Sequence, residues 1–378
     1  MAQHLKNFMR TITANVLLTV VSIVVCLMAS EVAFRGLLFS DAAFMQRFRD
    51  PSLYDAHLPE NDNYWKLRFL FKIAEGGVKP PEHPHPLLDP LLGWGDIFSR
   101  DTFVHNSAAE IGSRRAVLLY GDSFAQCRSK FRDEPSCFQG ILNRDEEFSR
   151  RHFLLNYGIG GYGLDQIYLL LKNSLHLYRR PFVVVSLMTE DLDRSLLTVR
   201  DGLPKPYFQL RGDELVLQGT PTSNPSTFHA EHPPEIPSYL YRLILSNHWM
   251  PARLRQFLQR IDERREAILT LNQRILENIV DELKKEETEY IFLIFHPISS
   301  LEEDGDWRGR FLVNWLTTRK IPYLSSKDLV SADASQKHKT ISEYYLPNDG
   351  HPTPYQNLLV ANELKRVIVE QRLALRHE

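Results

Sequence analysis

The chain has 378 residues, 43% of them hydrophobic, with 45 Lys and Arg against 47 Asp and Glu, for a net charge of -2. That length sets a prior of one large or two modest domains. A near-neutral balance without a long basic run argues against a nucleic-acid partner, and the 14 histidines form none of the HExxH, HxxEH or CxxC spacings that hold zinc, so neither metal nor cofactor is expected.

Thr11 to Ser30 carries no charge, which is about the length that crosses a bilayer core as a helix. Lys6 and Arg10 precede it, so the positive-inside rule puts the N-terminus in the cytoplasm and the rest of the chain outside. A cleaved signal peptide and a buried core helix are the rival readings. The run exceeds a usual signal h-region, Met28-Ala29-Ser30 is a weak cleavage site, and Val25 before Cys26 does not suit a lipoprotein signal. Residues 1–38 therefore read as a cytoplasmic stub and an uncleaved single-pass anchor. Glu31 and Arg35, four apart, are expected to pair on an exposed helix face.

Residues 39–112 read as a stalk and an N-terminal extension. Aromatics (Phe44, Phe48, Tyr54, Tyr64, Trp65) alternate with charges, and Lys79 to Pro86 is a Pro-rich spacer that forms neither helix nor central strand. Asp89-Pro90-Leu91-Leu92-Gly93-Trp94 follows, with Trp94 read as a packing residue and a ligand role as the alternative.

From Arg115 onward an α/β rhythm begins. Strands are predicted at Ala116–Tyr120, His152–Tyr157, Phe182–Met188, Tyr290–Phe295 and Ile321–Leu324. Helices are predicted at Phe124–Lys130, Cys137–Phe148, Leu164–Tyr178, Arg308–Thr318 and Gln356–Leu373. The β-branched run of Phe182–Met188 suits a strand buried on both faces of a parallel sheet. Between about 195 and 250 the rhythm breaks. A hairpin is expected around Gly212-Asp213, then a polar loop Pro221–Pro237 and a helix from Ser238 to Trp249. A long helix from Arg253 to Lys285 follows. The fold class is α/β with a doubly wound parallel sheet over 113–378 and an insertion at about 195–250.

The chemistry centres on Gly121-Asp122-Ser123, where an apolar strand stops at a turn into a helix. A serine there stands at the sheet edge, and the N–H groups opening the helix are free to face an oxyanion. Serine needs a base, and the base needs an orienting group. His351 precedes the last helix, and Asp349 two residues earlier can reach its Nδ1, leaving Nε2 for Ser123. Ser123 is thus the candidate nucleophile, His351 the base and Asp349 the orienting acid, while Asp122 reads as a turn former. Gly163 or Gly161 of the glycine loop Gly158–Gly163 could add a backbone donor. In an exported domain the spacing permits a Cys127–Cys137 disulfide closing a short loop beside Ser123; two neighbouring thiols are the alternative.

The set Gly121-Asp122-Ser123, Asn156 to Gly163 and Asp349-Gly350-His351-Pro352 resembles the SGNH/GDSL hydrolase superfamily. The likeness is closest to membrane-anchored bacterial members that modify cell-surface polysaccharides. It extends to Gly161-Tyr162-Gly163-Leu164-Asp165-Gln166 and to Lys205-Pro206-Tyr207-Phe208, and covers roughly residues 113–375 and, weakly, Asp89 to Trp94. It implies a flavodoxin-like α/β/α fold, a Ser-His-Asp triad and ester chemistry without a metal. It further implies oxyanion donors at Ser123 N–H and a glycine of the second block, chiefly Gly163. Two positions depart from the pattern. Where the superfamily ends its third block in Gly-x-Asn-Asp, this chain has Met188-Thr189-Glu190-Asp191, which leaves a two-membered oxyanion hole, a stand-in such as Asn156 or Thr189, or low activity. Asn348 occupies the usual aspartate position, so Asp349 must serve. The resemblance implies an extracytoplasmic esterase or acyltransferase acting on acyl, chiefly acetyl, esters of a glycan. A non-catalytic glycan-binding or assembly protein on the same scaffold is the alternative.

Overall fold

The computed structural model describes residues 2–54, 61–76, 88–89, 91–95, 111–127, 134–200, 202–219, 225–246, 261–302, 306–347 and 349–374. Its principal elements, in chain order, are α1 (Ala2–Leu38), α2 (Asp62–Ala74), β1 (Arg115–Gly121), α3 (Ser123–Gln126), α4 (Phe138–Arg144), β2 (His152–Gly158), α5 (Leu164–Ser174), β3 (Phe182–Met188) and α6 (Asp191–Arg194). There follow β4 (Tyr207–Arg211), β5 (Glu214–Gln218), α7 (Tyr239–Ser246), α8 (Ile261–Lys285), β6 (Glu289–Phe295), α9 (Trp307–Thr318), β7 (Tyr323–Ser325), α10 (Ser326–Lys337) and α11 (Pro354–Ala374).

The central sheet has five parallel strands in the order β7-β6-β3-β1-β2. Tyr120 pairs with Val185 on one side of β1 and with Tyr157 on the other. The two faces of β1 alternate as a period of two demands. Leu118 and Tyr120 face one core with Ile167 and Leu171 of α5, Ile275 and Ile279 of α8 and Leu312 of α9. Val117 and Leu119 face a second core with Phe138 and Leu142 of α4, Val330 of α10 and Val360 and Leu364 of α11. The architecture is therefore three-layered α/β/α, with the flavodoxin-like strand order. All seven residues of β3 are buried, as its sequence required.

The chain leaves β1 for β2 on one side and later returns to β3 on the other. This is the topological switch point, where a crevice opens at the carboxyl ends of the strands. Ser123 follows β1 directly at that point.

By its internal contacts the chain divides into two units, Met1–His83 with Val199–Gly202 and Asn224–Arg260, and Pro84–Thr198 with Leu203–Ser223 and Ile261–Glu378. In the first, Thr13–Leu38 of α1 is long and apolar enough to cross a membrane, with a mean hydropathy of 2.4, and Leu17, Leu18 and Leu27 are all exposed. Beyond that stretch Leu38 packs with Met45, Tyr54, Leu67, Phe71, Ile236 and Tyr239. The Glu31–Arg35 pair forms at 2.6 Å, but Glu31 is not an exposed partner. Its carboxylate accepts from Ser238 Oγ at 2.8 Å, Tyr239 N–H at 2.8 Å and Leu240 N–H at 3.0 Å, and so caps the first turn of α7.

Several boundaries differ from the sequence expectations. The helix after Ser123 ends at Gln126, because Cys127 takes a left-handed φ of 71°, and residues 128–130 lie outside the described set. The expected helix Cys137–Phe148 breaks at Asp145, whose extended backbone and carboxylate, accepting Phe148 N–H at 3.0 Å, start a separate turn over Glu146–Ser149. Helices α2 and α10 were not expected, nor were the short helices Pro225–Glu231, inside the expected polar loop Pro221–Pro237, and Ile298–Glu302. Ser325 Oγ caps α10 on Asp328 N–H, but few of that helix's residues are apolar and buried, so its periodicity is faint. The hairpin β4–β5 forms as expected around Gly212, which has a φ of 62°. The Pro-rich spacer and the expected helix start at 253–260 lie outside the described residues, as does Asn348.

Candidate active site

Ser123 is the first residue of α3, and Asp122 is its N-cap, accepting Phe124 N–H at 2.9 Å. The apolar residues of β1 bury the strand up to Gly121. That glycine is required there, because a Cβ would stand 2.6 Å from the Ala125 Cβ. The Ser123 hydroxyl therefore emerges at the sheet's carboxyl edge by local packing.

His351 reaches it from 228 residues away, with Nε2 2.9 Å from Ser123 Oγ. His351 Nδ1 lies 3.3 Å from Asp349 Oδ1, and the same oxygen accepts the His351 backbone N–H at 3.0 Å. In the tautomer that fits both contacts, Nδ1–H donates to Asp349 and Nε2 accepts from the serine hydroxyl. His351 and Asp349 side chains are 21% and 26% exposed, so a substrate can reach the pair from solvent.

The loop carrying His351 is held from both sides. Leu346 N–H donates to His351 O at 2.7 Å, and Gly350 N–H to Leu346 O at 3.0 Å. Gly350 has a φ of 68°, which glycine adopts without strain. Asp333 of α10 accepts from Tyr344 Oη and Tyr355 Oη, each at 2.7 Å, and so ties together the residues flanking the loop. The Phe124 ring lies 5.1 Å from the imidazole and packs one side of it. The structure thus brings Ser123, His351 and Asp349 together, residues that the sequence linked only by type and spacing.

The expected oxyanion donors fare differently. Asn156 is 1% exposed, and its amide is spent on the backbone. Nδ2 donates to Ala125 O at 2.8 Å and Oδ1 accepts Gly158 N–H at 2.8 Å, so it braces β2 against α3 rather than facing the serine. Gly163 N–H points to Gln166 Oε1 at 3.4 Å, and a Cβ on Gly163 would meet Asp165 and Arg194. The glycine beside the serine is Gly160, where a Cβ would lie 3.8 Å from Ser123 Cβ. Its neighbour Gly161 has a φ of 85°.

At the third block, Asp191 accepts Met188 N–H at 2.8 Å through Oδ2 and pairs through Oδ1 with Arg194. Arg194 Nη1 also contacts Asp122 Oδ2 at 3.2 Å and Tyr162 O at 3.1 Å. One buried guanidinium therefore ties the Asp122 turn, the glycine loop and the end of β3. Burial works against its charge, but the Asp191 and Asp122 carboxylates more than offset this and move its pKa up. Asp191 is consequently neutralised in place. Thr189 is fully buried, with its N–H on Phe295 O at 3.1 Å. Sequence reading did not single out Arg194. The only signal was an arginine three residues after an acid on a helical turn, which is common on ordinary surfaces.

The motif residues Asp165 and Lys205 form a fully buried pair, and Lys205 Nζ also donates to Leu197 O at 3.0 Å and Arg194 O at 3.3 Å. Gln166 Nε2 donates to Leu92 O at 2.6 Å. These residues hold the glycine loop in position rather than meeting a reacting group.

Cys127 and Cys137 lie next to each other as thiols, not joined by a disulfide. Each sulfur has its own hydrogen bonds: Cys127 Sγ donates to Ser136 O at 3.2 Å and accepts from Asn357 Nδ2 at 3.0 Å, while Cys137 Sγ donates to Cys127 O at 3.8 Å. The hydrogen bond to Cys137, together with burial, pushes the Cys127 thiol well up and keeps it protonated.

No family model and no curated protein matches the chain. Among solved structures it is similar to the psychrotrophic esterase EstA from Pseudoalteromonas sp., at 11% identity and a TM-score of 0.39, over 68% of this chain and 98% of that one. It is also similar to a catalytic mutant of the acetylxylan esterase Axe2 from Geobacillus stearothermophilus, at 15% identity and a TM-score of 0.38, over 68% and 94%. A lipase/acylhydrolase from Enterococcus faecalis matches at 12% identity and a TM-score of 0.37, over 66% and 95%.

Proposed function

We propose that the chain is an SGNH/GDSL-type serine esterase or acyltransferase, anchored by α1 with its site outside the cytoplasm, acting on acyl esters of a cell-surface glycan. The observation that carries the reading is the 2.9 Å contact between Ser123 Oγ and His351 Nε2, with Asp349 on the far nitrogen. His351 takes the hydroxyl proton as Ser123 attacks the ester carbonyl. The carbonyl oxygen gains charge and is met by the Ser123 and Gly161 N–H groups. His351 then protonates the departing glycan oxygen, leaving an acyl-serine. Water or a second sugar hydroxyl, deprotonated by His351, resolves it. The identity of that acceptor separates esterase from transferase. The glycan and the acetyl group come from the motif resemblance.

A fluorophosphonate probe tests the assignment. The full-length protein in detergent is expected to take up one equivalent, with the adduct on the peptide containing Ser123. No adduct, or an adduct elsewhere, overturns it in favour of a non-catalytic glycan-binding protein.

Asp349→Asn is expected to retain an acceptor for the His351 backbone N–H but to lose the charge that stabilises the imidazolium, lowering kcat for p-nitrophenyl acetate about 10²–10⁴-fold. An unchanged kcat would remove Asp349 from the triad.

A further inference from the structure

We infer that Trp94 is a positioning residue that sets the direction of the Gly161 N–H at the oxyanion hole; the inference rests on the serine-esterase reading above. Trp94 Nε1 donates to the Gly160 carbonyl at 3.0 Å. A trans peptide directs its C=O and its N–H oppositely, and the described chain contains no cis peptide. Pinning the Gly160 carbonyl therefore turns the Gly161 N–H away from the indole, on the stretch of loop that borders Ser123. The loop's own backbone bonds leave that N–H available: Ile159 N–H goes to Gly121 O at 3.0 Å and Tyr162 N–H to Ile159 O at 3.3 Å.

The Ile159–Tyr162 turn bond is compatible with either orientation of its central Gly160–Gly161 peptide, and glycine at both positions leaves that choice open. The Trp94 hydrogen bond makes the choice, and Trp94 is itself firmly held. Its carbonyl accepts from Tyr162 Oη at 2.6 Å, and the two rings meet edge to face at 5.7 Å. The turn before it is closed by Asp89 Oδ1, which accepts Leu91 and Leu92 N–H at 2.8 Å each. Gly93 packs so closely that a Cβ there would stand 3.0 Å from Lys205 Cα. Trp94 is 8% exposed. Phenylalanine could fill much of that space but cannot donate to Gly160, so the indole N–H has a geometric role separable from packing.

The test compares full-length wild type, Trp94→Phe and Tyr162→Phe on p-nitrophenyl acetate, with Ser123→Ala versions as blanks. Outright loss of an oxyanion donor costs about 10²–10³ in kcat, so a donor left misdirected in Trp94→Phe is expected to cost about 10–100-fold, with KM changed by no more than about twofold. Tyr162→Phe loosens Trp94 one step back and is expected to shift kcat the same way by a smaller factor. It also keeps the inference testable should Trp94→Phe fail to fold. Ser123-dependent turnover with unchanged kcat in the folded variants overturns the inference while leaving the esterase reading intact. A rise in KM alone also overturns it, because Trp94 would then be a binding residue. Wild type without Ser123-dependent turnover removes the esterase reading, and the inference with it.

Discussion

Replacing Ser123 by alanine is expected to lower kcat/KM for p-nitrophenyl acetate on the order of 10⁴–10⁶-fold, the loss seen when a triad nucleophile is deleted. The size follows from the geometry. His351 Nε2 is aimed at Ser123 Oγ, 2.9 Å away. Without the hydroxyl, the backbone donors can still polarise a bound carbonyl, which leaves a residual rate over water. The fold should survive, because the cap of α3 is carried by Asp122 and the buried apolar contacts by Phe124 and Ala125. Circular dichroism and melting temperature are expected to match wild type. Equal rates for Ser123→Ala and wild type would end the nucleophile assignment.

Lys205→Met is expected to cost about 3–5 kcal/mol of stability, because removing one partner of a buried ion pair strands the other charge. Asp165 is the stranded group, with no exposed surface and only backbone N–H groups, Gln166 at 2.9 Å among them, to offset its charge. Lys205→Met/Asp165→Asn is expected to recover most of the loss, since the asparagine is neutral and keeps an oxygen for Gln166. Urea unfolding in detergent measures both. Burial already raises the Asp165 carboxyl from 3.8 to about 6, against the pull of Lys205. A carboxyl whose folded pKa is raised favours the folded state fully at low pH and loses that contribution as pH rises from about 4 to about 6. Without the ammonium the folded pKa moves higher still. The deficit of Lys205→Met relative to wild type should therefore be smaller at pH 5 than at pH 8. A deficit independent of pH, or absent, would show that the pair does not carry the glycine loop.

Much of this was written locally. The strands β1, β3 and β6 were legible because each is built on a continuous apolar run, and burial on both faces leaves little else such a run can do. Gly121-Asp122-Ser123 was legible as a turn because β1 stops there, and Asp349-Gly350-His351 because a carboxylate two residues before an imidazole can reach it. The helix α10 was not, since few of its residues face a core.

For two of the expected donors, the sequence did not show where their hydrogen bonds go. Asn156, near the end of β2, and Gly163, in the glycine loop, have suitable chemistry, but hydrogen bonds have direction. Only the folded backbone shows that Asn156 points at Ala125 O and Gly163 at Gln166. Arg194 was not singled out, and Trp94 was read as a packing residue without its partner, because those partners lie far off in the chain: Arg194 meets Asp122 across 72 residues, and Trp94 meets Gly160 across 66.

By itself, the sequence determined the layering of the α/β sheet, the apolar N-terminal helix and the three residue types a serine mechanism needs, because burial patterns and turn chemistry act over a few residues. The tertiary structure alone decided that Ser123, His351 and Asp349 meet at the switch point of the sheet. It also decided that Asp191 is neutralised by Arg194 and that an indole from outside the sheet holds the glycine loop beside Ser123. Those outcomes depend on distance and direction between segments that only chain crossing brings together.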